Sequence, residues 1–282
     1  MIDLHSHSIH SDGTKTPSEL LNLAKKKHIT AFALTDHDNI EGTKELVSLP
    51  HEGITVYSGV ELNAKVDKGQ MHILGYNIDL TNEKLNNRLK ELKENSKHNI
   101  MLYVKQLKDD YNIELPQQEI EQILNRQGNI GRPLLALLLI KHGYVESVSE
   151  AFDKYLKDDK VREHKKWITK EECISLINEA GGIAVLAHPF TLKLTKEELK
   201  EEIKELIALG LKGIEIIHSK GIEEDRNYYK ELAKEFNLIT TGGTDYHGPE
   251  VKPSIELGTG INNNVNLSPE DISLLDIVQS RY

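Results

Sequence analysis

The sequence predicts an α/β fold, closed into a (β/α) barrel rather than spread as an open doubly wound sheet. Two observations carry that reading. Strand-like apolar runs alternate with helical segments along most of the 282 residues, an order that produces a mainly parallel sheet. Successive strands also end in polar residues: His5 and His7, Asp36, His37 and Asp38, Glu61, His188, His218, and Asp245 with His247. In a barrel such strand ends converge on one mouth. In a doubly wound sheet only the strands near the switch point would meet.

Each element has its own signal. In the opening "MIDLHSHSIHSDG", Ile2, Leu4 and the residue between them read as a buried strand, and Ser11-Asp12-Gly13 as a turn. A period of two puts His5 and His7 on one face. Thr16-Pro17-Ser18-Glu19 starts a helix, with a capping threonine, proline at the first helical position and glutamate closing a capping box. That helix continues through Leu20, Leu21, Leu23 and Ala24 to a basic end at 25–27, which suits the helix dipole. "ITAFALTDHD", "ITVYSGVEL" and "MHILGYNID" follow as three strands.

From 81 to 166 the chain becomes rich in Lys, Glu, Asn and Leu at helical spacing, with few strand signals. This predicts a helical insertion over 81–166 between barrel segments 1–80 and 167–282. Thr169-Lys170-Glu171-Glu172 opens a helix that stops at Gly181-Gly182. Alternation then resumes with "IAVLAHP", a charged helix over 196–209, "LKGIEIIH", a helix over 223–236, and "LITTGGTDYHG". "SIELGTG" reads as a last strand.

The formal net charge is -10. Binding of long nucleic acid relies on many Lys/Arg–phosphate contacts, so this balance argues against long duplexes as partners. A short nucleotide or a chain end held by bound cations is compatible with it. No apolar run approaches the ~20 residues that span a bilayer, and no signal-peptide pattern opens the chain. A membrane partner is therefore not expected. The single cysteine, Cys173, rules out an internal disulfide and fits a reducing, cytoplasmic location as a small core residue. Nothing in the sequence sets an oligomeric state.

Six of the thirteen histidines fall in metal-like positions: His5, His7, His37, His72, His188 and His247, joined by Asp12, Glu61 and Asp245. A lone histidine at a strand end is more often a hydrogen-bonded structural residue than a ligand. Nine such groups at converging ends are not explained that way. Carboxylates and imidazoles crowded into one mouth would repel or have to neutralise, and bound cations remove that cost. Mixed imidazole and carboxylate ligation suits Mn, Fe or Zn, whereas Mg and Ca prefer oxygen shells. Nine ligands exceed one coordination shell, so two or three divalent ions are implied.

The ordered set "DLHSHSIHSDG", "ALTDHDNIEG", "GVEL", "HILGY", "GRP", "AHP", "GIEIIH" and "GGTDYHG" resembles the PHP (polymerase and histidinol phosphatase) family over nearly the whole chain. It is most similar to the stand-alone branch that acts on nucleoside 3',5'-bisphosphates and RNA 5' ends. The resemblance implies a distorted (β/α)7 TIM-like barrel with a trinuclear site. His5, His7, Glu61 and Asp245 would hold one ion, and Glu61 would bridge to a second bound by His72 and His188. Asp12, His37 and His247 would hold the third. Some relatives have histidine where this chain has Asp12, and the aspartate fits the bisphosphate-phosphatase branch better than the histidinol-phosphate branch.

Other residues are candidates for lesser roles. Arg132, in Gly131-Arg132-Pro133, is of a type that grips phosphate bidentately, against the plainer reading of a surface arginine before a helix. The motif often continues with histidine in relatives, where this chain has Leu134, so a histidine contact to substrate is not expected there. His218 is placed to contact substrate or protonate a leaving group, against a structural role. Asp36 and Asp38 are expected to orient ligand histidines. The expected chemistry is hydrolysis of a phosphate ester by hydroxide that clustered metal ions make available near neutral pH. No Ser–His–Asp or Cys–His arrangement suggests a covalent intermediate. The alternatives are a histidinol-phosphate phosphatase, or a non-catalytic metal-binding module such as those attached to polymerases.

Overall fold

A computed structural model describes residues 1–126, 128, 130–157, 161, 164 and 166–282. The chain divides into two compact units, 1–87 together with 168–282, and 88–167.

The larger unit is built on eight strands among the described residues. β1 (Ile2–Asp3), β2 (Ala31–Ala33) and β3 (Thr55–Tyr57) form a parallel sheet in that order. β4 (Gly59–Ala64), β5 (Met71–Tyr76), β6 (Ile183–Leu186), β7 (Gly213–His218) and β8 (Ile239–Gly243) form a second sheet, also in chain order. β5 runs antiparallel to both neighbours, while β6, β7 and β8 are parallel. The reversal follows from the short link between β4 and β5, where Gly69 takes φ +68° and lets the chain turn straight back.

The α/β class and the alternating order agree with the sequence reading, but the strand pairing is less regular than an unbroken seven-stranded barrel. Parallel bridges Ser6–Tyr246 and His37–Glu61 join the continuations of β1 to β8 and of β2 to β4. Ladder pairing gives way to single bridges at the segments that carry the polar residues. "ITVYSGVEL" is two strands in different sheets, divided at Ser58. "SIELGTG" is not a strand: Glu256 and Gly260 close a turn in which Gly258 donates its N–H to Asp3 Oδ2 (2.8 Å).

Helices cover the sheets. α1 (Pro17–Lys26) has the full capping box, with Thr16 and Glu19 bonded reciprocally. Its Leu20, Leu21 and Ala24 pack with Phe32, Leu34, Leu46 and Val56. α2 (Glu41–Ser48) has no side-chain cap at Ile40; the N–H of Glu41 is accepted instead by Asn39 Oδ1 (2.8 Å), one residue earlier. In chain order α3 (Glu83–Tyr111), α4 (Gln117–Leu124), α5 (Arg132–Lys141) and α6 (Val148–Lys154) come next, followed by α7 (Lys170–Glu179), α8 (Lys196–Ala208), α9 (Glu223–Phe236) and the short α10 (Leu274–Ile277). Cys173 lies fully buried in α7, as a small core residue should. α8 has its own reciprocal capping box, between Thr195 and Glu198.

The smaller unit, 88–167, is helical among its described residues and contains α4, α5, α6 and most of α3. Its core is apolar, with Ile100, Tyr103, Leu107, Leu135, Leu139, Ala151 and Leu156 in one cluster. No described helix is long and apolar enough to cross a membrane.

Candidate metal centre

Glu61, in the middle of β4, is completely buried, a costly place for a carboxylate without compensation. Five imidazoles surround it. His72 Nδ1 (2.8 Å) and His188 Nε2 (2.9 Å) face its Oε1. His5 Nε2 (3.3 Å), His7 Nε2 (3.2 Å) and His37 Nδ1 (3.2 Å) face its Oε2. The antiparallel course of β5 explains how His72 joins the group. It sits near the start of a reversed strand, opposite Asn63, and so reaches the rim that the other strands reach with their ends.

Asp245 and Asp12 complete the arrangement. Asp245 Oδ1 lies 3.2 Å from His7 Nε2 and 3.6 Å from His5 Nε2. Asp12 Oδ1 lies 3.2 Å from His247 Nε2 and 3.6 Å from His7 Nδ1, and its Oδ2 is 3.8 Å from His37 Nε2. The Ser11–Gly13 turn brings Asp12 back to this position. A Cβ on Gly13 would lie 2.3 Å from the His7 carbonyl oxygen, so only glycine fits. Likewise a Cβ on Gly243 would lie 2.4 Å from His5 N, where β8 passes close to the chain carrying His5. His188 (φ +25°) and Asp245 (φ +56°) adopt positive φ, a strained state for non-glycine residues that clusters at functional sites.

The rings are oriented from behind. His5 Nδ1 donates to Glu215 Oε1 (2.9 Å), which leaves Nε2 facing the cluster. Glu215 Oε2 accepts the His188 N–H (2.7 Å), so one buried carboxylate fixes two histidine positions. The Thr191 hydroxyl donates to the Gln70 and His188 carbonyls, and accepts from His188 Nδ1 (3.0 Å), again leaving Nε2 inward. His247 Nδ1 donates to the Asp245 carbonyl (2.9 Å). This pattern of an outward N–H held by an acceptor and an inward lone pair is that of metal-ligating histidine.

The electrostatics are those of a site prepared for cations. Burial pushes Glu61 up, but His37, His5 and His72 outweigh it and hold the carboxyl well below its usual range. Asp245 is also buried and is held low chiefly by Lys252, His218 and His7. Burial acts to lower His7, yet the neighbouring carboxylates of Asp245, Glu61 and Asp12 raise it to about 9. Burial takes His37 the other way, to about 3. The donor set fits a metal cluster on this structure's own evidence. His7 Nε2 is buried with no hydrogen-bond partner among the described residues, while two carboxylate oxygens stand 3.2 Å from it. An ion among them would satisfy all three.

All nine sequence-predicted ligands meet in this one cluster. Proximity alone sorts them into four overlapping groups: His7, Asp12, His37 and His247; His5, His7 and Asp245; His5, Glu61 and His188; and His37, Glu61 and His72. The grouping implied by the family resemblance is cut across, since His7 and His37 each fit beside carboxylates that it assigns to different ions. His218 lies beside the cluster. Its Nδ1 accepts from the Lys220 N–H (3.0 Å), so Nε2 carries the proton and faces Asp245 Oδ2 at 3.2 Å.

Two expectations need amending. Asp36 accepts from Ser8 N, Ser8 Oγ and Ser11 Oγ (2.7, 2.7 and 2.6 Å), and thus pins the loop before Asp12 and acts on His7 through the Ser11 hydroxyl, 3.4 Å from His7 Nδ1. Asp38 is bound by the Asn63 N–H and side-chain amide, the latter 3.4 Å from His37 Nδ1, so it acts on His37 through Asn63. Arg132 opens α5, donates to the Leu156 carbonyl (3.1 Å) and lies over the rings of Phe152 and Tyr103. Leu134 packs against the core of the helical unit. Sequence reasoning missed Glu215, although an acidic residue inside the apolar "GIEIIH" was a signal, and it missed Lys252, for which no signal existed.

The fold and site define an α/β protein with a histidine- and carboxylate-rich metal centre at the rim of its strands. Comparison with known proteins identifies the family: the PHP domain matches residues 3–223, and the chain belongs to that family. The 5'-3' exoribonuclease Rnm of Escherichia coli (strain K12) is 30% identical over 261 residues, covering 91% of this chain and 87% of that protein. A 3',5'-nucleoside bisphosphate phosphatase of Chromobacterium violaceum is 29% identical over 250 residues, 88% of this chain and 87% of that one. A solved structure from Bifidobacterium adolescentis, assigned as a metal-dependent phosphoesterase, superposes with a TM-score of 0.74 at 28% identity, covering 92% of this chain and 91% of its own.

Proposed function

We propose that this chain is a metal-dependent phosphoesterase that hydrolyses nucleoside 3',5'-bisphosphates or the 5' ends of short RNA. The observation that carries the reading is Glu61, whose two oxygens face two different sets of histidines in a fully buried setting. That split supports a bridging role. His5, His7 and Asp245 would hold one ion together with Glu61, and His72 and His188 would hold a second with it. Asp12, His37 and His247 would hold a third. The imidazole–carboxylate mixture favours Mn, Fe or Zn. The relatives named above, an exoribonuclease and a bisphosphate phosphatase, support the nucleotide substrate class. The single bridges at Ser6–Tyr246 and His37–Glu61 support a distorted barrel as the frame of the site.

Bound divalent ions supply Lewis-acid charge for phosphoryl oxygens and acidify water for hydrolysis. The chain's own residues do the rest. Glu215 and Thr191 keep the His5 and His188 rings turned inward. His218, with its proton on Nε2 beside Asp245, is the candidate to pass one to a departing oxygen. Arg132, in the helical unit, stays a candidate phosphate-binding residue by its planar guanidinium.

The test is turnover on a panel of phosphate esters with one Mn-loaded preparation at matched concentrations. Adenosine 3',5'-bisphosphate or a short 5'-phosphorylated RNA should be hydrolysed far faster than 5'-AMP or histidinol phosphate. Histidinol phosphate as best substrate would overturn the substrate class. No turnover by fully metallated protein would overturn the enzyme reading itself.

A further inference from the structure

We propose that Lys252 is a positioning residue that governs how Asp245 serves the metal cluster, an inference that rests on the metal-centre reading above. The two oxygens of Asp245 face opposite ways. Oδ1 looks into the cluster, 3.2 Å from His7 Nε2, 3.6 Å from His5 Nε2 and 3.5 Å from His247 Nδ1. Oδ2 looks away from it and is held by Lys252 Nζ at 2.5 Å, with His218 Nε2 at 3.2 Å. A carboxylate gripped at one oxygen by an ammonium group presents the other alone, so Lys252 makes Asp245 a one-oxygen ligand.

The lysine is delivered there by a built turn. After His247 the chain reverses at Gly248 (φ +96°), whose carbonyl accepts the N–H groups of both Val251 and Lys252 (3.2 and 2.9 Å). The Thr14 hydroxyl bonds Glu250 Oε2 (2.5 Å), and the Thr14 N–H bonds the His247 carbonyl (2.9 Å), tying the turn to the loop that carries Asp12. Lys252 thus returns onto a residue seven positions earlier. Its side chain is 23% exposed, so its ammonium group reaches both the buried carboxylate and solvent.

A positive charge this close to a ligand has opposing consequences. It weakens cation binding by direct repulsion, and it withdraws charge from Asp245, leaving any ion there more electrophilic. Loss of the charge should therefore tighten metal binding while slowing the chemistry. A residue with a purely structural role would produce neither effect.

The experiment compares wild type, Lys252→Met and Lys252→Arg as full chains. Mn affinity is measured by calorimetry on metal-stripped protein, and kcat and KM on adenosine 3',5'-bisphosphate. Lys252→Met should bind Mn about tenfold more tightly, the screened effect of one nearby charge, with kcat lowered at least tenfold, and Lys252→Arg should restore both values. Unchanged or weaker Mn binding in Lys252→Met, or a kcat equal to wild type, would overturn the proposal. Wild-type protein that binds no Mn would instead overturn the metal centre, so the two failures are told apart.

Discussion

The two units bury opposite kinds of residue. In 88–167 the core is a cluster of aliphatic and aromatic side chains, and Gln106 is the one buried polar or charged residue there among the described residues. The larger unit buries Asp3, His5, His7, Asp36, Glu61, His188, Glu215, His218, Asp245 and His247. Packing alone accounts for the first core. The second cannot be explained by packing, because each buried charge there requires a partner. The difference teaches where function lies: one unit gains stability by excluding polarity, and the other concentrates polarity to hold ions.

The contrast can be broken most forcefully at Glu61. Glu61→Gln removes the charge that five imidazoles face, and breaking a buried ion pair costs about 3–5 kcal/mol, equivalent to roughly a hundred- to several-thousand-fold. Metal content and kcat should both collapse, and a variant retaining either would remove Glu61 from the centre of the site. Glu215→Gln acts one layer further out, on the ring of His5 and the backbone of His188. Loss of such a supporting partner should lower metal affinity about 10–100-fold, as measured by titration of stripped protein with Mn. An affinity equal to wild type would make Glu215 a bystander.

The smallest effect on the site should come from the apolar unit. Leu139 is fully buried in α5, and Leu139→Ala should cost about 2–5 kcal/mol of stability, read by denaturant melting. Metal content should stay at the wild-type level. If the ions were lost together with that packing, the division of labour between the units would be wrong.

Much of this was legible in the sequence for definite reasons. Capping signals at Thr16 and Thr169 are local: the structure forms the full box at Thr16, and at Thr169 its threonine half, the hydroxyl accepting the Glu172 N–H. The nine ligand-type residues were legible because most follow strand ends set by the alternation, and the family motifs add the others, His72 at the start of β5 and Asp12 on its turn. Three features were not. α2 lacks a capping side chain at Ile40, and the Asn39 that accepts its Glu41 N–H stands one residue earlier, outside the capping-box pattern. "SIELGTG" carries strand-like apolar residues, but its glycines at φ +79° and +71° commit it to a turn, and torsions are not written in composition. Lys252 reaches Asp245 only through the turn at Gly248. Glu215 was legible in principle, because an acidic residue within a buried apolar strand must find a partner, and that partner is His5.

The central claim is that the buried charges around Glu61 hold more than one metal ion. Elemental analysis of protein stripped of metal, reloaded with Mn and freed of excess by gel filtration tests it most directly. Two or three ions per chain is the predicted result, because nine ligand groups converge within one continuous cluster. At most one ion per chain after full loading would contradict it.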